Sequence, residues 1–275
     1  MKRKETFLGI LLATLAIACP ATAADTGKPT IAVIGTGDMG DSLGTRFAAV
    51  GFPVVYGSRD PGSDHVKKLV ERTGRGARAV TPVQAVRAAN IVVLAVPWPA
   101  METVARSLGP LQGKIVIDIS MPSVQGSDGY HVPLLQTSSA EMIQGWNPGA
   151  RVVKAFATQG SFVIDNPAAL GGPATVPIAS DDREAKEFVA RLAAEMGLDP
   201  VDAGPLRLAR EIEALQRLYM VPLLQRRSAG WEPYFRRSYY WACIWQNEWS
   251  KPVVDAADLA MLPETQGPAR SCPGP

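Results

Sequence analysis

Apolar positions along this chain fall into short dense runs separated by stretches of helical spacing. Residues 30–34 and 53–56 read as strands on either side of a helix at 39–50. Helical spacing returns at 64–72 and 82–89, while IVVLAV at 91–96 and IVIDI at 115–119 are almost uninterrupted apolar runs. Such runs suit strands buried on both faces of a sheet. Further strands are expected at 151–156 and 175–179, then a helix at 182–196. Strands alternating with helices predict an α/β fold built on a doubly wound, mostly parallel sheet.

After Pro205 the pattern changes. Residues 206–224 keep helical spacing with only Pro222 interrupting, and 231–249 hold eight of the chain's nineteen aromatics. The expected division is therefore a sheet domain at 25–205 and a C-terminal helical extension and tail at 206–275. Trp241, Trp245 and Trp249 fall on one helical face, with arginine pairs at 226–227 and 236–237 nearby. A helix that covers the domain or a homodimer partner is the favoured reading. A membrane-surface helix over 231–249 is the alternative.

The first two dozen residues belong to a different category. A basic start (Met1, Lys2, Arg3, Lys4) precedes an apolar stretch at 7–18 and the small residues Ala21, Thr22 and Ala23. The stretch is short for a bilayer span. A cleaved export signal over 1–24 is expected, and with it a periplasmic or secreted protein. Beyond residue 24 the chain carries 25 basic and 25 acidic side chains, so its charge gives no argument for nucleic acid. Two cysteines remain there, Cys243 and Cys272, too few for a disulfide scaffold.

Between the first strand and the first helix lies Gly35-Thr36-Gly37-Asp38-Met39-Gly40. A G-x-G-x-x-G in that position marks the dinucleotide-binding turn of a Rossmann-type sheet. Gly35 permits the tight turn, Gly37 lets the backbone approach a pyrophosphate, and Gly40 lets helix and strand pack closely. A protein reading NAD places Asp or Glu about twenty residues on, against the ribose 2′-hydroxyl. This chain has Gly57-Ser58-Arg59 there. Ser58 can donate to a 2′-phosphate and Arg59 can clamp it, which points to NADP. Asp60 precedes Pro61 and is assigned to the turn that leaves the site.

With GTGDMG, the segments VVYGSRDP, AVPWPAM, ARVVKAFAT and VDAGPLRLAREIEAL complete a recognisable series. Over residues 30–225 the chain resembles the deazaflavin (coenzyme F420)-dependent NADP oxidoreductases. Over the first of these motifs it is similar to the cytosolic reductase domains of the STEAP proteins. The resemblance implies hydride transfer between NADPH and a deazaflavin or flavin-like ring as electron partner. It implies that Thr36, Gly37, Asp38 and Met39 wrap the pyrophosphate and that Ser58 and Arg59 hold the 2′-phosphate. Ala95, Val96 and Pro97 would line the ribose and adenine side, with Ile119 and Ala157 near the nicotinamide. The export signal and the aromatic region 231–249 depart from the family's pattern.

No catalytic residue is assigned. Hydride transfer between two redox rings needs alignment more than proton chemistry. His65, at an exposed helix start, is expected to be solvated, whereas His131 lies in a loop on the substrate edge of the sheet. The Lys154 side chain is expected at the margin of the sheet, and Trp98 fits either a pocket wall or helix packing. No metal-ligand spacing appears. Two rival readings stay open: an NADP-binding module without turnover, and a pyrroline-5-carboxylate reductase-like dehydrogenase. The latter needs a longer helical dimer domain than 206–275 easily supplies.

Overall fold

The computed structural model describes residues 27–226 and 232–235. The export signal expected over 1–24, Cys243 and Cys272, and Trp241, Trp245 and Trp249 lie outside the described residues. Along the chain, β1 (Ile31–Ile34), α1 (Asp38–Ala49), β2 (Val54–Gly57), α2 (Asp64–Thr73) and β3 (Arg78–Val80) come first. Then follow α3 (Pro82–Arg87), β4 (Ile91–Leu94), α4 (Trp98–Ser107) and β5 (Ile115–Asp118). A small hairpin, β6 (Ser123–Gln125) with β7 (His131–Pro133), precedes α5 (Ser139–Trp146), β8 (Arg151–Lys154) and α6 (Ser161–Asp165). The order closes with β9 (Thr175–Ala179), α7 (Arg183–Glu195), β10 (Asp199–Gly204), α8 (Ala209–Tyr219) and α9 (Val221–Leu224).

Among the described residues, eight strands form one sheet in the order β10-β9-β8-β5-β4-β1-β2-β3. The chain winds outward from β1 to β2 and β3, then returns past β1 to β4, β5 and β8. Strand order therefore reverses between β1 and β4. Each of those neighbours pairs in parallel. The sheet is mostly parallel, as expected, but β9 meets β8 antiparallel and β10 follows β9 in parallel.

Alternation along the buried strands assigns side chains to two helical layers. Ile31, Val33, Ile91, Val93, Ile115 and Ile117 face a core that includes Leu43 and Phe47 of α1, Val163 of α6 and Leu192 of α7. Ala32, Ile34, Val92, Leu94 and Val116 face the other, with Val86 of α3, Met101 of α4, Ile143 of α5 and Ala209 of α8. The expected strands and helices fall within a few residues of those observed. Besides the β6–β7 hairpin, two strands of the sheet, the three-residue β3 and the six-residue β10, go beyond the sequence reading. One has an exposed or half-buried edge and the other reads DPVDAG, a poor β-former on composition. The 206–224 helix divides at Met220, just ahead of Pro222, as a proline requires.

Lys154 departs from expectation. Rather than reaching the sheet margin it is fully buried. Its Nζ lies 3.0 Å from Asp118 Oδ2, 2.9 Å from Ser139 Oγ, 2.5 Å from the Ser120 carbonyl and 3.2 Å from Glu213 Oε1. Ser139 also gives its backbone N–H to Glu213 Oε1 at 2.8 Å. Ser120 donates N–H and Oγ–H to Asp118 Oδ1 at 2.9 and 2.6 Å. One cation and two carboxylates thus join β5, β8, α5 and α8 away from water. Nearby, Glu141 of α5 caps its own helix through Ser138 and pairs with Arg210 of α8.

Two outcomes test these ties. Removing Lys154 leaves two carboxylates facing each other in the interior, a loss of about 3–5 kcal/mol for a broken buried pair. Lys154→Met should therefore lower the melting temperature by roughly 10 °C or more, and adding Glu213→Gln should recover part of that loss. A melt within a couple of degrees of wild type would show that the cluster is not structural. The Arg210 guanidinium, helped by the Ser138 and Thr137 hydroxyls, holds the Glu141 carboxyl down at about 2 against its ordinary 4.5. A depressed carboxyl stabilises the fold above its unfolded value and loses that contribution as pH falls toward the folded one. The gap in denaturation midpoint between wild type and Glu141→Gln should be full above pH 4.5 and close as pH drops toward 2. A gap independent of pH would remove Arg210 as the cause.

Candidate functional site

Five parallel strands, β2, β1, β4, β5 and β8, end side by side, and every residue singled out for cofactor contact lies just beyond one of those ends. The reversal of strand order between β1 and β4 opens a crevice at their carboxyl ends, where sheets of this kind take ligands. The glycine loop leaves β1 on one side of that crevice, and Ala95, Val96 and Pro97 leave β4 on the other.

The three loop glycines are demanded for different reasons. Gly35 has φ +111°, and a β-carbon there would lie 2.2 Å from the Ala95 carbonyl oxygen. A β-carbon on Gly40 would lie 2.2 Å from the Gly35 carbonyl oxygen, so α1 meets the loop backbone to backbone. Gly37 differs. Its backbone is extended, φ −81° and ψ −175°, and a β-carbon would meet nothing within 4 Å. Nothing among the described residues requires a glycine at that position. Gly37 is also the N-cap of α1, and no side chain caps that helix. Free N–H groups and open space are what a pyrophosphate needs at a helix N-terminus.

Ser58 follows β2 and is buried, its N–H donating to the Val80 carbonyl at 2.9 Å and its Oγ accepting from Asp60 N–H at 3.2 Å. The hydroxyl proton is left to give. Arg59 is exposed and makes no hydrogen bond or ion pair with the described residues. Asp60 instead accepts from Gly62 N–H at 3.2 Å, which keeps its carboxylate in the turn. Across the crevice, Ala95 N–H donates to the Ile34 carbonyl at 2.9 Å, Val96 is half-buried and Pro97 is the exposed N-cap of α4. Ile119 and Ala157 sit at the next two strand ends, both buried in apolar clusters. Before Ala157, Phe156 holds a left-handed φ of 54° while its ring meets Phe47 edge-on at 6.2 Å. A bulky residue in that conformation is strained, as segments at functional sites often are.

Several neighbours escaped the sequence reading or were read differently. His65 is exposed, but it is not merely solvated: its Nε2 lies 2.7 Å from the Thr36 carbonyl oxygen. The imidazole, from α2, thus holds the same short loop that leaves open space at Gly37. His131 pairs its Nδ1 with Ser123 Oγ at 2.9 Å, within the β6–β7 hairpin. Trp98 stacks on Trp146 at 5.9 Å, so it binds α4 to α5. Beyond β8, Gly160 N–H donates to Tyr219 Oη at 3.2 Å, and Tyr219 in turn hydrogen-bonds Glu232. Burial pushes the Glu232 carboxyl up to about 7 and the Tyr219 phenol up to about 12. Among the described residues no cluster of three or more acidic, histidine or cysteine side chains forms a metal site.

Known proteins resemble this chain in sequence and fold. The profile of the family "NADP oxidoreductase coenzyme F420-dependent" matches residues 30–122, a span from β1 to just past β5. The F420-dependent NADP reductase of Methanothermobacter marburgensis is 32% identical over 204 residues, covering 68% of this chain and 89% of that one. Metalloreductase STEAP3 of Rattus norvegicus is 31% identical over 187 residues, but this chain spans only 36% of its length. A crystal structure from Arthrobacter sp. FB24, described as a candidate F420-dependent NADP reductase, superposes with a TM-score of 0.69 at 26% identity. It covers 76% of this chain and all of its own. A matching family profile, a shared sheet and coverage of most of the archaeal reductase lead to one assignment: the chain belongs to the coenzyme F420-dependent NADP oxidoreductase family and is an NADP-dependent oxidoreductase.

Proposed function

We propose that this protein binds NADPH across the carboxyl ends of β2, β1, β4, β5 and β8 and passes its hydride to a planar redox ring, deazaflavin or flavin. The observation that carries the reading is Gly37, where the fold leaves room that the fold does not use. Backbone N–H groups of Gly37, Asp38 and Met39 at the start of α1 hold the pyrophosphate, while Gly35 and Gly40 bring the loop close enough to do so. Ser58 and Arg59 hold the 2′-phosphate. Arg59 gives up no partner among the described residues to do this, and Asp60 is held in its turn, out of the way of a second anion. Ala95, Val96 and Pro97 flank the ribose side, and Ile119 and Ala157 present apolar surface toward the nicotinamide. The bound dinucleotide supplies the hydride; the chain supplies alignment and exclusion of water.

The name of the archaeal relative supports a deazaflavin as acceptor. An export signal over residues 1–24 favours a flavin, because an exported enzyme is remote from a cytosolic deazaflavin pool. Both rings share the planar, two-electron chemistry the site is proposed to serve. Purified protein mixed with NADPH and, in turn, coenzyme F420, FMN and FAD distinguishes the acceptors by the rate of NADPH oxidation. Failure of all three would leave an NADP-binding module without turnover.

Arg59→Ala should weaken NADPH binding by one to two decades, the loss of a charge-assisted clamp of about 1.5–3 kcal/mol. NADH binding should barely change, and equal affinities for the two cofactors in the intact protein would defeat the assignment. Gly37→Val should melt like wild type without ligand, since its backbone is ordinary and its β-carbon unobstructed. It should nevertheless lose the stabilisation that NADPH confers. Gly35→Val, by contrast, should destabilise the ligand-free protein. If Gly37→Val still gains thermal stability from NADPH, the dinucleotide does not bind at this loop.

A further inference from the structure

His65 stands in the first turn of α2, and its Nε2 reaches the Thr36 carbonyl oxygen at 2.7 Å. A carbonyl only accepts, so this nitrogen carries the proton. Thr36 is the residue between Gly35 and Gly37. The rest of the loop is tied by backbone: Gly35 N–H donates to Gly57 O at 3.1 Å, and Asp41 N–H donates to Gly37 O at 2.8 Å. Among the described residues, His65 is the group that holds the peptide between Thr36 and Gly37.

That peptide has two ends. In a trans peptide the carbonyl oxygen and the following N–H point in opposite directions. No peptide bond among the described residues is cis. With the Thr36 oxygen held toward α2, the Gly37 N–H must face away from α2. Gly37 N–H donates to no backbone or side-chain group among the described residues, and the space around Gly37 is open. A donor on the carbonyl also polarises the peptide and makes its N–H a better donor.

We propose that His65 is a positioning residue: by holding the Thr36 oxygen it aims the Gly37 N–H at the pyrophosphate of a nicotinamide dinucleotide. The inference rests on the reading that the dinucleotide binds at the glycine loop. The pyrophosphate is common to NADPH and NADH, so His65 acts on both alike, unlike Arg59. The action needs a proton on Nε2 and not a positive charge.

The test titrates the full chain with NADPH and with NADH. His65→Ala should bind both cofactors about three- to tenfold more weakly, the loss expected for one hydrogen bond, with their ratio unchanged. His65→Gln carries an amide N–H where Nε2 stood and should return both affinities to within about twofold of wild type. The Gly37 amide resonance of the ligand-free protein should shift in His65→Ala and return in His65→Gln, while the melting temperature stays put. Wild-type affinities in His65→Ala overturn the proposal, as does a loss confined to NADPH, which would place His65 on the 2′-phosphate instead. Gly37→Val run alongside separates the two levels: if that variant still binds NADPH, the loop reading itself has failed, whatever His65 does.

Discussion

A lysine taken wholly out of water must be met by charge and by hydrogen-bond acceptors, and the interior of this protein is arranged around meeting Lys154. Asp118 comes from β5, Ser139 from α5 and Glu213 from α8, while the Ser120 carbonyl accepts directly. None of these four can move without leaving a polar group stranded, which costs far more than a lost apolar contact. The cluster fixes where β5 and β8 end. Ile119 and Ala157 follow those ends within a few residues, so the position of the proposed nicotinamide surface is set by a buried ion cluster.

The other half of the crevice is set by close packing. Gly35 and Gly40 allow β1, β4 and α1 to approach until backbone touches backbone. Helix–strand contact of this kind leaves few ways for the loop to deform, and the remaining freedom sits in the Thr36–Gly37 peptide. The site thus combines a rigid frame with open space at one residue. Preorganised donors of this sort bind an anion without paying to reorder the chain.

Much of this was legible in the chain itself. The runs IAVI, IVVL and IVID are continuous because both faces of their strands are buried, and the glycine spacing is read from one loop of six residues. The reading of GSR for a 2′-phosphate likewise rests on where it falls relative to β2. What escaped depends on contacts between distant segments. Nothing local announces that His65 reaches back 29 positions to Thr36, or that Lys154 meets a glutamate on α8. A lysine late in a strand ordinarily extends to the margin, and only the carboxylates arriving from β5 and α8 keep this one inside. The hairpin β6–β7 was equally hidden, since three-residue strands beside glycine and serine carry almost no periodic signal.

The placement of Glu213 bears on the order in which the chain is made. Ribosomes deliver β1 through β8 first, yet the Leu206 and Ala209 side chains that cover one face of the sheet, and the carboxylate that completes the Lys154 cluster, all follow β10. Until then Ser139 N–H has no acceptor and part of one sheet face is bare. A nascent chain ending at β10 therefore holds all eight strands of the sheet but not the residues that cover this face. That face of the sheet is covered, and the Lys154 cluster completed, only by residues that follow β10.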